Sequence, residues 1–272
     1  DVWARKDLFK LKKDGTQEKV AGVPPDYFSE TGQLWGMPIF NWESNEKTDY
    51  TWWFDRINHN LIMFNFMRLD HFRAFASYWE VDAKEETAIN GKWMKGPGKE
   101  FFYKLRYVRG SLPFVAEDLG DISEDVYHLR DEFNFPGMSV LQFAFIQDPS
   151  ESVHAPHNHR ENMICYTGTH DNNTLKGWFK SAKSEVVERL ERYLGTMLHE
   201  FNINDLMISE ALASVSKTVI IPMQDILKLG NEGIMNKPGA AEGNWDWKMN
   251  STFSDYQAAK LKMSTKLTNR YR

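Results

Sequence analysis

MFNFMRLD, residues 63–70, is the stretch on which the fold is read. It ends a helix-like segment, reads as a strand, and closes on an arginine and an acid. Working outward, PFVAE (113–117), MSVLQFAF (138–145), MICYTG (163–168) and KTVIIPM (217–223) are further short apolar runs. After these runs come polar or glycine-containing loops and then helical patterns, at 123–133, 173–180 followed by 184–198, and 223–230. Near-continuously apolar strands alternating with helices predict parallel βα units. That architecture is an α/β barrel or a doubly wound sheet.

The flanks read differently. Residues 8–21 (LFKLKKDGTQEKVA) predict a hairpin with Asp-Gly at its turn. Residues 22–42, with two consecutive prolines and several aromatics, predict a long functional loop. Residues 81–98 read as a second excursion ending in Gly-Pro-Gly, and 236–256 as an irregular loop before a terminal helix at 254–270. No internal repeat or low-complexity tract interrupts the chain.

A length of 272 residues suits one α/β barrel, which needs about 250. An apolar fraction of 42% and a charged fraction of 26% exclude intrinsic disorder. A formal charge of −5 argues against nucleic-acid binding. No window nears the roughly 18 apolar residues of a membrane span. The lone cysteine, Cys165, cannot form an internal disulfide, which points to a reducing compartment. Aromatics make up 14% of the chain. They predict either a ring-rich core or a groove with flat apolar walls, and composition does not separate the two.

Three acids stand at the C-terminal ends of the strands: Asp70 in RLDHFR, Glu117 in VAEDLG and Asp171 in GTHDNNT. In a β/α barrel that edge is where catalytic side chains gather. Each acid alone could be a helix cap. A lone buried carboxylate is costly, so three of them beside a His or another acid ask for a shared task. Paired carboxylates suit glycosyl transfer: one attacks the anomeric carbon, and the other protonates the leaving oxygen. Arg68, two residues before Asp70 and on the same strand face, would keep Asp70 ionised. Its alternative is a structural salt bridge.

RLDHFRAFASYWEV (68–81), VAEDLGDI (115–122) and YTGTHDNNTLKGWF (166–179) resemble the 4-α-glucanotransferases, the amylomaltase or disproportionating-enzyme family of the α-amylase clan. So do VAGVPPDYFSETGQLWG (20–36), GKWMKGPG (91–98), FPGMSVLQFAF (135–145), IIPMQDILKLG (220–230), and MNKPG with GNWDW (235–247). The resemblance implies a (β/α)8 TIM barrel with irregular insertions near 22–42 and 81–98. Five strands are counted where a closed barrel needs eight. Residues 1–272 are therefore expected to be the C-terminal portion of a catalytic barrel whose N-terminal part is missing.

The resemblance implies Asp70 as nucleophile, Glu117 as general acid/base and Asp171 as transition-state stabiliser. It implies sugar contacts for Arg68 and His170, with His71 and Asp118 as near neighbours in the substrate site. Tyr27 and Phe28 would curl over the glucan, and Asn236 and Trp245 would face it. Met37 and Lys248 depart from the family pattern, which more often has Asn and Arg there. The expected partners are maltooligosaccharides and α-1,4-glucans, with glucose as acceptor. No cofactor, metal, nucleic acid or membrane is expected. The expected compartment is the cytoplasm, or a plastid in a plant.

Three motifs invite other readings. His154, His157 and His159 in VHAPHNH have a metal-like spacing, but no cysteine is near. The glycines from Gly230 to Gly243 do not match a phosphate loop. Lys92, Lys95 and Lys99 read as a solvated loop. The leading activity is glucan transfer; the alternatives are an α-glucan hydrolase and a non-catalytic glucan-binding fragment.

Overall fold

A computed structural model of the protein describes residues 1–26, 29–250 and 252–271. Tyr27 and Phe28, expected over the glucan, lie outside the described residues. The chain forms two compact units, Asp1–Gly137 and Met138–Arg272.

The elements of the first unit are β1 (Lys19–Val23), β2 (Gln33–Pro38), α1 (Trp42–Lys47), α2 (Thr51–Met63), β3 (Met67–Leu69), β4 (Ser77–Asp82), β5 (Gly91–Lys95), α3 (Gly98–Arg109), β6 (Phe114–Ala116) and α4 (Glu124–Glu132). β3 and β6 pair in parallel, with Arg68 opposite Val115 and Leu69 opposite Ala116. β2, β1, β4 and β5 form an antiparallel sheet in that order. Two expectations change. The stretch 22–42 contains β2, and 81–98 contains β5 paired with β4, so a strand runs through each excursion. The tight turn of the 8–21 hairpin is present, with the Lys12 N–H donating to the Thr16 carbonyl at 2.9 Å. Its arms do not continue, because Phe9 bridges to Phe40 and Lys19–Val23 pairs with β2 and β4. The apolar side chains of 8–21 thus gain more by joining the larger sheet than by pairing locally.

α3 begins on the last glycine of Gly-Pro-Gly and is capped at Gly110, whose φ of 80° suits only glycine well. Glu100 lies in its first turn and Arg106 and Arg109 in its last, the order the helix dipole favours. It buries Phe101, Phe102 and Leu105. Around them pack Tyr50, Phe54, Phe72, Phe75, Phe114, Phe133 and Phe135. Their rings meet mostly edge-on or tilted, as with Phe101 and Tyr50 at 5.1 Å and 79°. The aromatics therefore supply a ring-rich core in this unit, while others such as Trp35 and Trp93 stay at the surface.

The second unit opens with β7 (Gly137–Val140) and continues through β8 (Met163–Tyr166), α5 (Leu175–Ser181), α6 (Ser184–Leu194), α7 (Ile203–Ala213), β9 (Thr218–Ile220), α8 (Met223–Ile226) and α9 (Asp255–Leu267). The strands form one sheet in the order β7-β8-β9, with β8 and β9 parallel. Leu141, Phe145, Cys165, Leu175, Leu190, Ile203 and Met207 fill its core. Burial pushes the Cys165 thiol up to about 12, so it behaves as a small apolar group rather than a nucleophile. α9 starts on a capping box in which Ser254 and Gln257 satisfy each other's backbone N–H. Parallel strands joined through helices make the chain α/β. No helix among the described residues is long and apolar enough to cross a membrane.

Candidate active site

The first unit holds two of the three acids. The parallel register of β3 and β6 places Asp70 and Glu117 one residue past the last pair of each strand. The Glu117 N–H donates to the Leu69 carbonyl at 3.0 Å, and the Phe72 N–H to the Glu117 carbonyl at 3.0 Å, so the ladder runs past both acids.

The two acids have opposite surroundings. The Asp70 side chain is 78% exposed, and Arg68 Nη1 donates to its Oδ1 at 2.6 Å. That charge-assisted bond fixes one oxygen of the carboxylate and leaves the group open to solvent. Burial raises the Glu117 carboxyl above the usual range. Arg68 and the N–H groups of Leu119 and His71 oppose that shift, while Asp70 adds to it. Those N–H groups donate to Oε1 at 3.0 Å and Oε2 at 2.7 Å, fixing the carboxyl plane. The pair thus sets an exposed, arginine-bonded carboxylate beside a buried carboxyl raised by desolvation, two contrasting environments on adjacent strand ends.

His71 occupies the left-handed region, with φ of 47°. This is unusual for a non-glycine residue and turns its N–H onto Glu117. Its ring packs edge-on against Trp35 at 4.7 Å. Burial, assisted by Arg73, pulls it down to about 4, so it is neutral at physiological pH. Asp70 and His71 border a cavity of about 600 Å³ walled by Trp35, Met37, Trp42, Trp53 and Trp79.

Asp118, expected as a near neighbour in the substrate site, is tied to the protein interior. Its side chain is 2% exposed and bonds Arg130 Nη1 at 2.5 Å, itself 4% exposed. With its carboxylate turned into the protein, Asp118 anchors the loop that carries Glu117.

The second unit holds Asp171 in the loop from β8 to α5. His170 Nε2 stands 3.2 Å from Asp171 Oδ2, and Asn236 Nδ2 donates to Oδ1 at 2.6 Å. The Trp245 ring lies over His170 at 5.2 Å and is 61% exposed. The structure thus groups Asp171, His170, Asn236 and Trp245, which the sequence spreads across 76 positions, counting from 170 to 245. The loop is braced by Asn172, whose Oδ1 accepts from the Thr169 N–H and hydroxyl at 2.8 and 2.9 Å. Gln142 Nε2 donates to the Asn173 carbonyl at 2.8 Å. A Cβ on Gly168 would meet that same Gln142 nitrogen at 2.6 Å, which explains the glycine. Asn172 and Gln142 were not singled out from sequence; the Asn after the Asp in THDN was the available signal.

The three histidines of VHAPHNH serve separate ends. His159 bridges the hydroxyls of Ser139 at 2.7 Å and Ser216 at 3.0 Å. Burial pulls His154 down to about 4, and His157 bonds the Tyr193 hydroxyl at 3.0 Å. Lys92, Lys95 and Lys99 are exposed, but they sit on β5 and α3 rather than in a loop.

Arg68 yields a pH prediction. Its charge holds the Glu117 carboxyl down, so Arg68→Met should let that carboxyl rise further. A general acid works while protonated, so the alkaline limb of kcat/KM moves to higher pH as the maximum falls. A pH–rate profile whose alkaline limb stays in place or moves down would remove Glu117 from that role.

A family model described as 4-alpha-glucanotransferase, of glycoside hydrolase family 77, matches residues 1–253. A 4-alpha-glucanotransferase of Aquifex aeolicus is 50% identical over 254 residues, 93% of this chain and 52% of that one. A chloroplastic/amyloplastic 4-alpha-glucanotransferase of Solanum tuberosum is 46% identical over 96% of this chain and 46% of its own. Among solved structures, an amylomaltase from Streptococcus agalactiae in complex with acarbose superposes with a TM-score of 0.94 at 39% identity, over all of this chain and 55% of that one. The chain spans about half the length of the curated relatives it matches.

Proposed function

Because the chain belongs to the 4-alpha-glucanotransferase family of glycoside hydrolase family 77, we propose that it contributes the catalytic acids of a retaining α-1,4-glucan transferase. The observation that carries this reading is the contrast between an exposed, arginine-paired Asp70 and a buried Glu117 with a raised carboxyl, on adjacent parallel strand ends.

In the first step Glu117 gives its proton to the glycosidic oxygen while the Asp70 carboxylate attacks C1 of the donor glucose. The C1–O bond breaks, the shortened glucan leaves, and a glycosyl ester forms on Asp70. In the second step the Glu117 carboxylate takes the proton of an acceptor 4-OH, whose oxygen attacks C1 and frees Asp70. Two inversions retain the α configuration. Asp171 and His170 hold sugar hydroxyls and stabilise positive charge, with Asn236 and Trp245 alongside. The breaking and forming linkages are alike, so the acceptor decides the product. Trp35 and the other rings of the cavity beside Asp70 favour sugar over water by excluding water.

The sugar-holding roles of Asp171 and His170 are part of this proposal. So are a (β/α)8 barrel to which these strands belong, maltooligosaccharides as donors, glucose as acceptor, and a cytoplasmic or plastid compartment. Incubation of the 272-residue chain with maltotriose tests the activity. Glucose together with longer oligosaccharides is the expected product pattern. Glucose and maltose alone would make the protein a hydrolase. Binding of acarbose without any turnover would make it a glucan-binding fragment.

A further inference from the structure

Asp225 takes no part in the steps above, yet it is a buried acid beneath the Asp171 loop. It lies in α8 with 1% of its surface exposed. Its Oδ2 accepts from the Thr167 hydroxyl at 2.6 Å, and its Oδ1 accepts from the Leu175 N–H at 2.8 Å. Thr167 is the residue after β8 and Leu175 is the first residue of α5, and both are fully buried. Everything between them is the loop that carries His170 and Asp171. One carboxyl group therefore holds both ends of that loop. Asp225 is itself fixed, since buried Asn204 donates from Nδ2 to its carbonyl at 2.9 Å.

The other braces act within the loop or on one side of it. Asn172 folds it on itself, Asn173 Nδ2 donates to Asn231 Oδ1 at 2.9 Å, and the Thr174 hydroxyl donates to the Gly230 carbonyl at 3.2 Å. A buried carboxylate is an expensive way to satisfy one hydroxyl and one N–H. Burial indeed pushes the Asp225 carboxyl up, against the pull of these two bonds. Two acceptor oxygens on one rigid group set the spacing of the loop ends, which a single-acceptor side chain cannot do in the same way.

We propose that Asp225 is a positioning residue for the proposed transferase: by clamping Thr167 and Leu175 it sets where His170 and Asp171 point. The kinetic part rests on the function proposed above, whereas the clamp itself does not. Asp225→Ala, Asp225→Asn and Thr167→Val in the 272-residue chain test both parts, by hydrogen exchange of amides 168–175 and by maltotriose kinetics. Asp225→Ala should speed exchange across the loop. It should also lower kcat with little change in KM, by about 100-fold, the scale of a 1 Å misplacement. Asparagine can accept from the Leu175 N–H through Oδ1 and donate to the Thr167 hydroxyl through Nδ2. Asp225→Asn should therefore recover loop protection and most of kcat, which tells positioning apart from charge. Thr167→Val frees one end only and should fall between them, and it stands in if Asp225→Ala does not fold. Unchanged loop exchange in Asp225→Ala or Thr167→Val, or an Asp225→Asn as unprotected and slow as the alanine variant, would overturn the proposal. A wild-type chain without turnover would sink the transferase reading instead, and the exchange data would still decide the clamp.

Discussion

Asp70→Asn is expected to abolish maltotriose turnover, with a loss of about 10⁴-fold or more in kcat, the scale seen when a nucleophile is removed. Glu117→Gln should lose about 10²–10⁴-fold, the usual worth of a positioned general acid. The two differ on an activated donor. α-Glucosyl fluoride leaves without a proton, so Glu117→Gln should form the glycosyl ester from it at near the wild-type rate. Asp70→Asn has no attacking group for either donor and should stay inactive on both. Retained acarbose binding by both variants would show that the cavity beside Asp70 is intact. Equal losses by Glu117→Gln on maltotriose and on the fluoride would remove it as the acid. Substantial turnover by Asp70→Asn would end the double-displacement mechanism.

Asp118→Ala should be among the most destabilising single changes in the first unit. Its carboxylate and the Arg130 guanidinium are both nearly inaccessible to water, and Asp131 holds the other edge of that guanidinium at 2.8 Å. Removing Asp118 leaves a buried cation short of its closest partner, which costs about 3–5 kcal/mol. The fit is close, since a Cβ on Gly137 would run into the same carboxylate. Urea unfolding of the wild type and Asp118→Ala measures the difference. A double variant, Asp118→Leu with Arg130→Met, should recover much of the loss, because a buried pair replaced by apolar groups is often neutral. A loss below about 1 kcal/mol in the single variant, the worth of an exposed pair, would show that water reaches the site.

Asp70 and Glu117 stood out as strand-end acids because each closes a short, near-continuously apolar run, and an acid that breaks such a run is visible in one dimension. The parallel runs themselves were legible for the same reason: MFNFMRLD, PFVAE and MICYTG each contain the strand they predict, as β3, β6 and β8. β5 was not legible, since its half-exposed residues, Trp93 among them, earn their strand by pairing with β4 rather than by their own apolar pattern. α7 was hidden because its apolar residues spread around the helix and no side chain caps its start.

The sequence by itself determined the α/β alternation, the acids at the strand ends and the family motifs, because local chain chemistry writes these directly. Only the tertiary structure decided which acid is exposed and which is buried. Burial depends on what packs over a side chain, and VAEDLG says nothing of Arg130 or of the neutral His71 beside it. The same holds for Asp225, which lies 50 and 58 residues from the two partners it holds: a hydrogen bond across such a distance exists only once the chain has folded.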